Sequence, residues 1–207
     1  MMKIEKISAQ PDRAGRYLVQ FSDDTVLRLY KQTVQDFYLY TGMEMTLSEY
    51  DELKESASRM SAKMRAVRIV SASNVSKRDL EQRLVQKGED PASAKEAIHW
   101  MSELNLLDDR ITAQQIVSNC IAKGYGVARA KQVLYEKRIP KEYWQEVLED
   151  YPDQVEAIEK YIQNHLKAGA DAKAVKKVID ALLRRGHSYS VIRRALAQRD
   201  VLEEEYG

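Results

Sequence analysis

The feature that most constrains this chain is a helical pattern that appears three times. In each appearance a helix ends, a turn follows, and a second helix presents two apolar residues nine and ten positions after the turn. The pattern returns after 50 positions and again after 48. A single unit this small buries too little surface to be stable, so the units must stack on one another. The matched positions are Leu80, Leu84, Gly88, Ala97 and Ile98; Ala130, Leu134, Arg138, Val147 and Leu148; and Val178, Leu182, Gly186, Ala195 and Leu196.

A further helix is predicted before each of these units, over residues 61–71, 109–122 and 154–168. The fold class is therefore mainly α, with three tandem three-helix repeats forming a curved, elongated array. We expect four segments: residues 1–45 with strands and a short helix, 46–107 with a long helix and the first repeat, 108–152 with the second repeat, and 153–207 with the third repeat and an acidic tail.

The N-terminal segment has the alternation and the branched and aromatic residues of β-strands. Strands are predicted over residues 3–9, 16–21 and 25–30, forming a small antiparallel sheet, and a helix is predicted over residues 31–40. A sheet of this size is marginal alone, so it must lean on another element. Thr46 and Glu49 have the spacing of a capping box and predict a long helix from there to about residue 70.

The composition is that of a globular protein, with 44% hydrophobic and 31% charged residues among 207. A lone cysteine, Cys120, the charged N-terminus and the lack of a membrane-length apolar run lead us to expect a cytoplasmic protein. The net charge of +1 conceals an asymmetry. Residues 160–199 hold ten Lys or Arg against only Asp171 and Asp180, whereas acids collect in the tail at residues 203–205.

Candidates for catalysis or metal binding have stronger structural interpretations. No histidine has metal-ligand spacing, and Cys120 lies in an apolar run typical of a buried thiol. Asp108 and Asp109 precede a helix, where a carboxylate caps free amides. The segment 123–126 (Lys-Gly-Tyr-Gly) lacks the rest of a phosphate loop, although the amides of the following helix remain a possible phosphate site. We therefore expect no enzymatic activity, no metal and no cofactor.

Aromatic side chains divide into two groups. Trp100, Trp144, Tyr143 and Tyr151 lie near the ends of repeat helices, where aromatics usually wedge between helices. Tyr125 and Tyr189 each lie in a turn before a basic helix, so either is a candidate contact with a partner.

The basic residues carry the most functional information. Cations at helix ends also complement the helix dipole, but an excess of eight over forty residues exceeds that need. We expect an acidic partner, either a phosphate backbone or a carboxylate-rich protein surface. The candidate contact residues are Lys176, Lys177, Arg184, Arg185, Arg193 and Arg194, extended by Lys123, Tyr125, Arg129 and Lys131.

The middle of the chain resembles the RecX family. The similarity runs from about residue 70 to residue 149 and is carried by the stretches 74–84, 104–110, 123–126 and 134–139. Its most specific part is the Leu107-Asp108-Asp109 element, followed about fifteen residues later by the Lys-Gly-Tyr-Gly segment. Asn74, Ile111 and Arg138 depart from the residues common in that family.

The resemblance implies a non-enzymatic modulator of the RecA recombinase, expected to be an inhibitor in recombination, repair and the SOS response. The implied partners are the RecA filament and single- and double-stranded DNA, with no membrane, and we expect a monomer. Two alternatives remain open. One is a helix-turn-helix transcription regulator, which would prefer a particular duplex sequence. The other is a helical adaptor with no nucleic-acid role.

Overall fold

The computed structural model describes residues 1–167 and 169–206, with side chains described through residue 198 apart from residue 168. The predicted acidic side chains at residues 203–205, and the last residue of the helix predicted over residues 154–168, lie outside these described parts. The chain forms two compact units, one over Met1–Leu107 and one from Asp108 onward.

A four-stranded antiparallel sheet begins the first unit. Its strands are β1 (Met2–Ile7), β2 (Arg16–Phe21), β3 (Val26–Tyr30) and β4 (Glu44–Met45), in the order β3-β2-β1-β4. The prediction of a small antiparallel sheet is confirmed. The fourth strand was not predicted because its two residues are too few to show an alternating pattern.

Two helices follow the sheet. The first, α1, spans Lys31–Asp36 and is shorter than predicted, because the chain turns at Tyr38, whose φ is 51°. The second, α2, spans Leu47–Ala72. Its predicted capping box is confirmed: the Glu49 amide donates to the Thr46 hydroxyl at 3.2 Å, and the Thr46 amide donates to the Glu49 carboxylate at 2.7 Å.

The apolar side of α2 covers the sheet and then continues into the first repeat. Leu53 is fully buried with Ile4 and Phe21 of the sheet, whereas Ala62 and Ala66 belong to the core of the repeat. The helix predicted over residues 61–71 is therefore the C-terminal part of α2, since no residue interrupts it.

The first repeat is completed by α3 (Lys77–Gln86) and α4 (Pro91–Glu103). Ser76 caps α3 and Asp90 caps α4, the latter accepting from the Ser93 amide at 2.9 Å. A helix start at Pro91 is typical, because proline lacks the amide hydrogen that would be unpaired there.

The second unit contains the remaining helices. The second repeat has α5 (Asp109–Ala122), α6 (Val127–Glu136), a short 3-10 turn (Lys141–Tyr143) and α7 (Trp144–Leu148). The third has α8 (Val155–His165), α9 (Ala172–Arg184) and α10 (Tyr189–Tyr206). Each repeat has its own apolar core.

The equivalence of the repeats extends to their backbone. Gly88, Arg138 and Gly186, which occupy matching sequence positions, all have left-handed backbone with φ of 86°, 55° and 85°. Leu134 and Leu182, four residues before the second and third of these turns, are fully buried. The predicted fold class is confirmed: the chain is mainly helical, and a small antiparallel sheet precedes the helical repeats in the sequence. In the described part of the chain, no helix has the length and apolarity needed to cross a membrane.

Candidate interaction surface

A stripe of cations runs along the solvent side of α9. With 3.6 residues per turn, Lys173, Lys177 and Arg184 project from nearly the same side of the helix. The fully buried Leu182 and the buried Val178 lie on the opposite side. The stripe is therefore forced outward by the packing of the third repeat. We call Lys173, Lys176, Lys177 and Arg184 the α9 stripe; all four side chains are exposed.

Residues 160–199 contain two acidic side chains, Asp171 and Asp180, and these do little to neutralise the α9 stripe. Asp171 is the N-cap of α9, and its carboxylate accepts from the Ala174 amide at 2.8 Å. Its charge therefore lies at the positive end of the helix dipole, where it is stabilising. Only Asp180 lies within the stripe, so the stripe keeps an excess of positive charge.

A shallow groove lies beside the α9 stripe. It has a volume of about 570 Å³, and Lys176 and Asp180 border it together with apolar and aromatic side chains. Leu183 is 41% exposed and Tyr189 is 53% exposed on its rim. The surface thus offers cations to an acidic partner and an apolar area beside them. The predicted contact residue Tyr189 belongs to this apolar area.

The turn before α6 packs directly on the turn before α10. The Gly126 amide donates to the Arg185 carbonyl at 2.9 Å, and the Ala128 amide donates to the Gly186 carbonyl at 3.3 Å. A β-carbon on Gly126 would lie 2.0 Å from the Gly186 carbonyl oxygen, and one on Gly186 would lie 2.2 Å from the Arg129 nitrogen. Both positions therefore require glycine, and the Lys-Gly-Tyr-Gly segment is a packing element between the two repeats.

Arg185 stabilises this junction of two turns. Its guanidinium donates to the Lys123 carbonyl at 2.9 Å and lies over the rings of Tyr125 and Tyr161, at 5.1 Å and 5.5 Å from their centroids. Cation–π contacts of this kind stabilise partly desolvated sites. Arg185 and Tyr125 were predicted as partner contacts, and the structure shows both half-buried and engaged within the chain.

Two further side chains contact the same junction, the half-buried Tyr151 and the buried His187. The Tyr151 hydroxyl donates to the Tyr125 carbonyl at 2.7 Å, and burial raises the pKa of Tyr151 to about 12. His187 is buried, and this burial lowers its pKa; a hydrogen bond with the Gly124 backbone acts in the opposite direction. Sequence reasoning did not single out His187, although its position after the glycine of the turn was a usable signal.

The remaining candidate cations differ in their surroundings. Arg129 is ion-paired with Glu136 at 3.2 Å, and Arg194 is paired with Asp153 at 3.1 Å. Lys123, Lys131 and Arg193 are exposed. The structure thus brings Lys123, Tyr125, Arg129 and Arg185 to one junction. Among the described residues, no hydrogen bond or ion pair joins Arg193 or Arg194 to it.

Several sequence interpretations are confirmed. Cys120 is buried, which raises the pKa of its thiol, and Asp108 caps α5 by accepting from the Arg110 amide at 2.8 Å. Trp144 packs in the core of the second repeat and donates to the Ile139 carbonyl at 3.1 Å.

Comparison with known proteins identifies relatives along most of the chain. The family model described as "RecX, third three-helix domain" matches residues 155–196. The regulatory protein RecX of Clostridioides difficile (strain 630) is 26% identical over 200 residues, covering 94% of this chain and 92% of that protein. The RecX of Vibrio parahaemolyticus (serotype O3:K6) is 29% identical over 150 residues, covering 71% of this chain and 97% of that protein.

Solved structures agree in fold. A crystal structure of regulatory protein RecX superposes with a TM-score of 0.62 at 21% identity, covering 94% of this chain and all of that one. The RecX of Lactobacillus salivarius superposes with a TM-score of 0.59 at 20% identity, covering 70% and 99%. Together with the three-helix units described above, these similarities support the RecX family for this chain, which matches proteins named regulatory protein RecX along most of its length.

Proposed function

We propose that this protein is a non-catalytic regulator of the RecA recombinase that binds the RecA filament and its DNA through the third repeat. The observation that carries the proposal is the α9 stripe. Among the described residues, none of its four cations is ion-paired, so their charge is available to a polyanion. By contrast, Arg129 and Arg194 are already paired with acids of the chain itself.

The geometry supports recognition of the DNA backbone in preference to base sequence. Lysine and arginine on one side of a helix suit phosphates, which position a protein without reading sequence. The groove bordered by Leu183 and Tyr189 adds apolar area for contact with the recombinase. Regulation then follows from mass action. A protein that binds one state of a filament more tightly than another shifts the filament toward that state, and it needs no catalytic group.

A charge-reversal experiment tests this proposal. Lys177→Glu combined with Arg184→Glu should weaken binding to single-stranded DNA and to the RecA filament, because two cations of the α9 stripe become anions. The matched control is Lys141→Glu with Lys160→Glu, which makes the same charge change at exposed residues of the same unit outside the stripe. Binding is measured by fluorescence anisotropy over a range of salt concentrations.

The salt dependence distinguishes the outcomes. For every phosphate that the variant no longer neutralises, the slope of log affinity against log salt should decrease by about 0.7 on single strands. Equal affinities for the stripe variant and the control would exclude the stripe as the binding surface. A strong preference for one duplex sequence over random DNA would instead favour a transcription regulator.

A further inference from the structure

The first unit contains a cationic cleft that sequence reasoning did not find. Its volume is about 430 Å³, and it lies where the ends of β2 and β3 meet the last turns of α2 and α3. Five cations line it, and none of the described residues that line it is acidic. The cleft cations are Arg16, Arg65, Arg68, Arg83 and Lys87, and Tyr30 lies among them.

Two of the arginines are held in place by buried carboxylates. Arg65 donates through Nε to Glu89, which also accepts from Ser61 at 3.0 Å, and Arg83 pairs with Asp79 at 2.9 Å. The Glu89 and Asp79 side chains are only 6% and 7% exposed. The acids therefore lie within the fold, whereas Arg65 and Arg83 are 34% and 35% exposed and line the cleft.

Arg16 is held in the same manner by a partly buried acid. Its Nε and Nη2 atoms donate to one carboxylate oxygen of Asp12 at 3.0 Å and 2.8 Å. The hydrogen bonds from the Arg16 side chain, together with backbone amides, lower the pKa of Asp12 to about 2. This carboxylate is ionised at neutral pH and keeps Arg16 fixed at the cleft wall.

The remaining two cations have no carboxylate partner among the described residues. Arg68 donates to the Ala14 carbonyl at 2.8 Å and to the Tyr30 hydroxyl at 3.4 Å, which fixes its direction without neutralising it. Lys87 is exposed at the end of α3. These two residues therefore supply the uncompensated charge of the cleft.

The charges of the helix ends oppose this excess only in part. The C-termini of α2 and α3 both lie at the cleft, and each carries roughly half a negative charge. Asp12, Asp79 and Glu89 neutralise three of the five cations, so two positive charges remain. The two helix C-termini together offset about one of these two charges. The cleft stays net positive, with fixed guanidinium groups as donors.

We propose that this cleft binds the phosphodiester backbone of a nucleic-acid strand, as a second binding surface separate from the α9 stripe. Guanidinium groups held from behind suit phosphate oxygens because their planar forks donate in pairs. Several cations spaced along one cleft suit a ligand whose charges repeat, as those of a strand do. The inference rests on the proposed function for the identity of the ligand, but not for the location of the site.

The test compares two double variants of the 207-residue chain. The cleft variant carries Arg68→Ala and Lys87→Ala, which removes the two uncompensated cations and leaves the three carboxylate pairs intact. The control carries Arg78→Ala and Lys95→Ala, two exposed cations of the same unit that do not line the cleft. Binding of a fluorescein-labelled oligothymidylate is followed by anisotropy at several salt concentrations, and thermal unfolding verifies that each variant folds.

We expect the cleft variant to bind about tenfold more weakly, with a salt slope smaller by about 1.4, because two phosphates are no longer neutralised. The control should bind like the unmodified protein. In a nuclear magnetic resonance titration with the same oligonucleotide, the side-chain Nε–H signals of Arg65 and Arg68 should shift, which locates the strand at the cleft.

Three results would overturn the proposal. The first is unchanged binding and slope in the cleft variant, and the second is arginine signals that do not shift. The third is that an oligoglutamate peptide moves the arginine signals while the oligonucleotide does not, which would identify a protein ligand. If the α9 stripe variant loses affinity while the cleft variant does not, this inference fails and the proposed function stands. The reverse pattern would exclude the α9 stripe and retain the cleft.

Discussion

Gly126 and Gly186 lie so close together that a β-carbon on Gly126 would approach the Gly186 carbonyl oxygen to 2.0 Å. The two residues belong to different three-helix repeats, and the backbone hydrogen bonds beside them tie the two turns together. The position of the third repeat, and with it the α9 stripe, therefore depends on the absence of side chains at these two residues.

Replacing Gly186 tests this dependence, with Gly88 as the matched position. Both have left-handed backbone, with φ of 85° and 86°, so alanine costs about 1 kcal/mol of backbone strain at either one. Only at Gly186 does the new methyl group meet backbone, 2.2 Å from the Arg129 nitrogen. We expect Gly186→Ala to lower the free energy of unfolding by about 3 kcal/mol or more, and Gly88→Ala by about 1 kcal/mol.

Tryptophan fluorescence allows each unit to be followed separately in urea. Trp100 packs in the first unit and Trp144 in the second, so single-tryptophan variants report one unit each. Equal losses for Gly186→Ala and Gly88→Ala would show that the junction relaxes around a methyl group without cost.

Arg185 should contribute to stability and not chiefly to partner binding. Its guanidinium lies over Tyr125 and Tyr161 and donates to the Lys123 carbonyl. Arg185→Ala is expected to lower the free energy of unfolding of the second unit by about 2 kcal/mol. Lys177→Ala, at an exposed position of α9, should change it by less than about 0.5 kcal/mol. Denaturation followed through Trp144 checks both values, and an Arg185→Ala protein as stable as Lys177→Ala would contradict the structural role.

His187 should make the stability of the second unit depend on pH. Burial and the nearby charge of Arg185 both lower its folded-state pKa, so the folded chain takes up this proton at a lower pH than the unfolded chain does. As the pH falls through the unfolded value of about 6.5, the unfolded chain gains a proton that the folded chain does not. Stability is therefore present above that value and declines below it, down to the folded-state pKa.

The measurement is the melting temperature between about pH 7.5 and pH 5.5, where His is the side chain that ordinarily titrates. The unmodified protein should lose more stability over this interval than His187→Gln. The control is His99→Gln, because the His99 side chain is exposed on α4. Parallel curves for His187→Gln and the unmodified protein would exclude this histidine as the source.

Arg193 and Arg194 should differ in their effect on binding, although they are neighbours in sequence. Arg194 is paired with Asp153 at 3.1 Å, whereas Arg193 is exposed without an ion pair among the described residues. Arg193→Ala should reduce the salt slope for single-stranded DNA by about 0.7, and Arg194→Ala should reduce it by less. The same anisotropy titration measures both salt slopes. A larger decrease for Arg194→Ala than for Arg193→Ala would contradict the expectation that Arg193 contributes more to DNA binding.

Much of the fold was predictable because it depends on periodicity and capping. The helix over residues 109–122 and the capping box of Thr46 and Glu49 follow from local rules, and the structure has both. The bounds of α1 were wrong because the turn at Tyr38 uses a left-handed tyrosine, which sequence propensity disfavours.

The surroundings of the basic residues were harder to predict. Positive charge in residues 160–199 is visible in the sequence, but the partner of each cation is not. Arg185 and Arg194 both appear in the sequence as arginines of a basic segment. In the structure Arg185 lies over two aromatic rings, whereas Arg194 pairs with Asp153 in a loop. The cationic cleft was missed because its residues are spread from Arg16 to Lys87, and only the fold brings them together.

The most direct test of the proposed function is the DNA-dependent hydrolysis of ATP by the cognate RecA, measured with increasing amounts of this protein. The rate should fall as the protein is added, and the Lys177→Glu, Arg184→Glu variant should be needed at higher concentration for the same effect. A rate that stays constant through saturating amounts of the unmodified protein would contradict its assignment as a regulator of the recombinase.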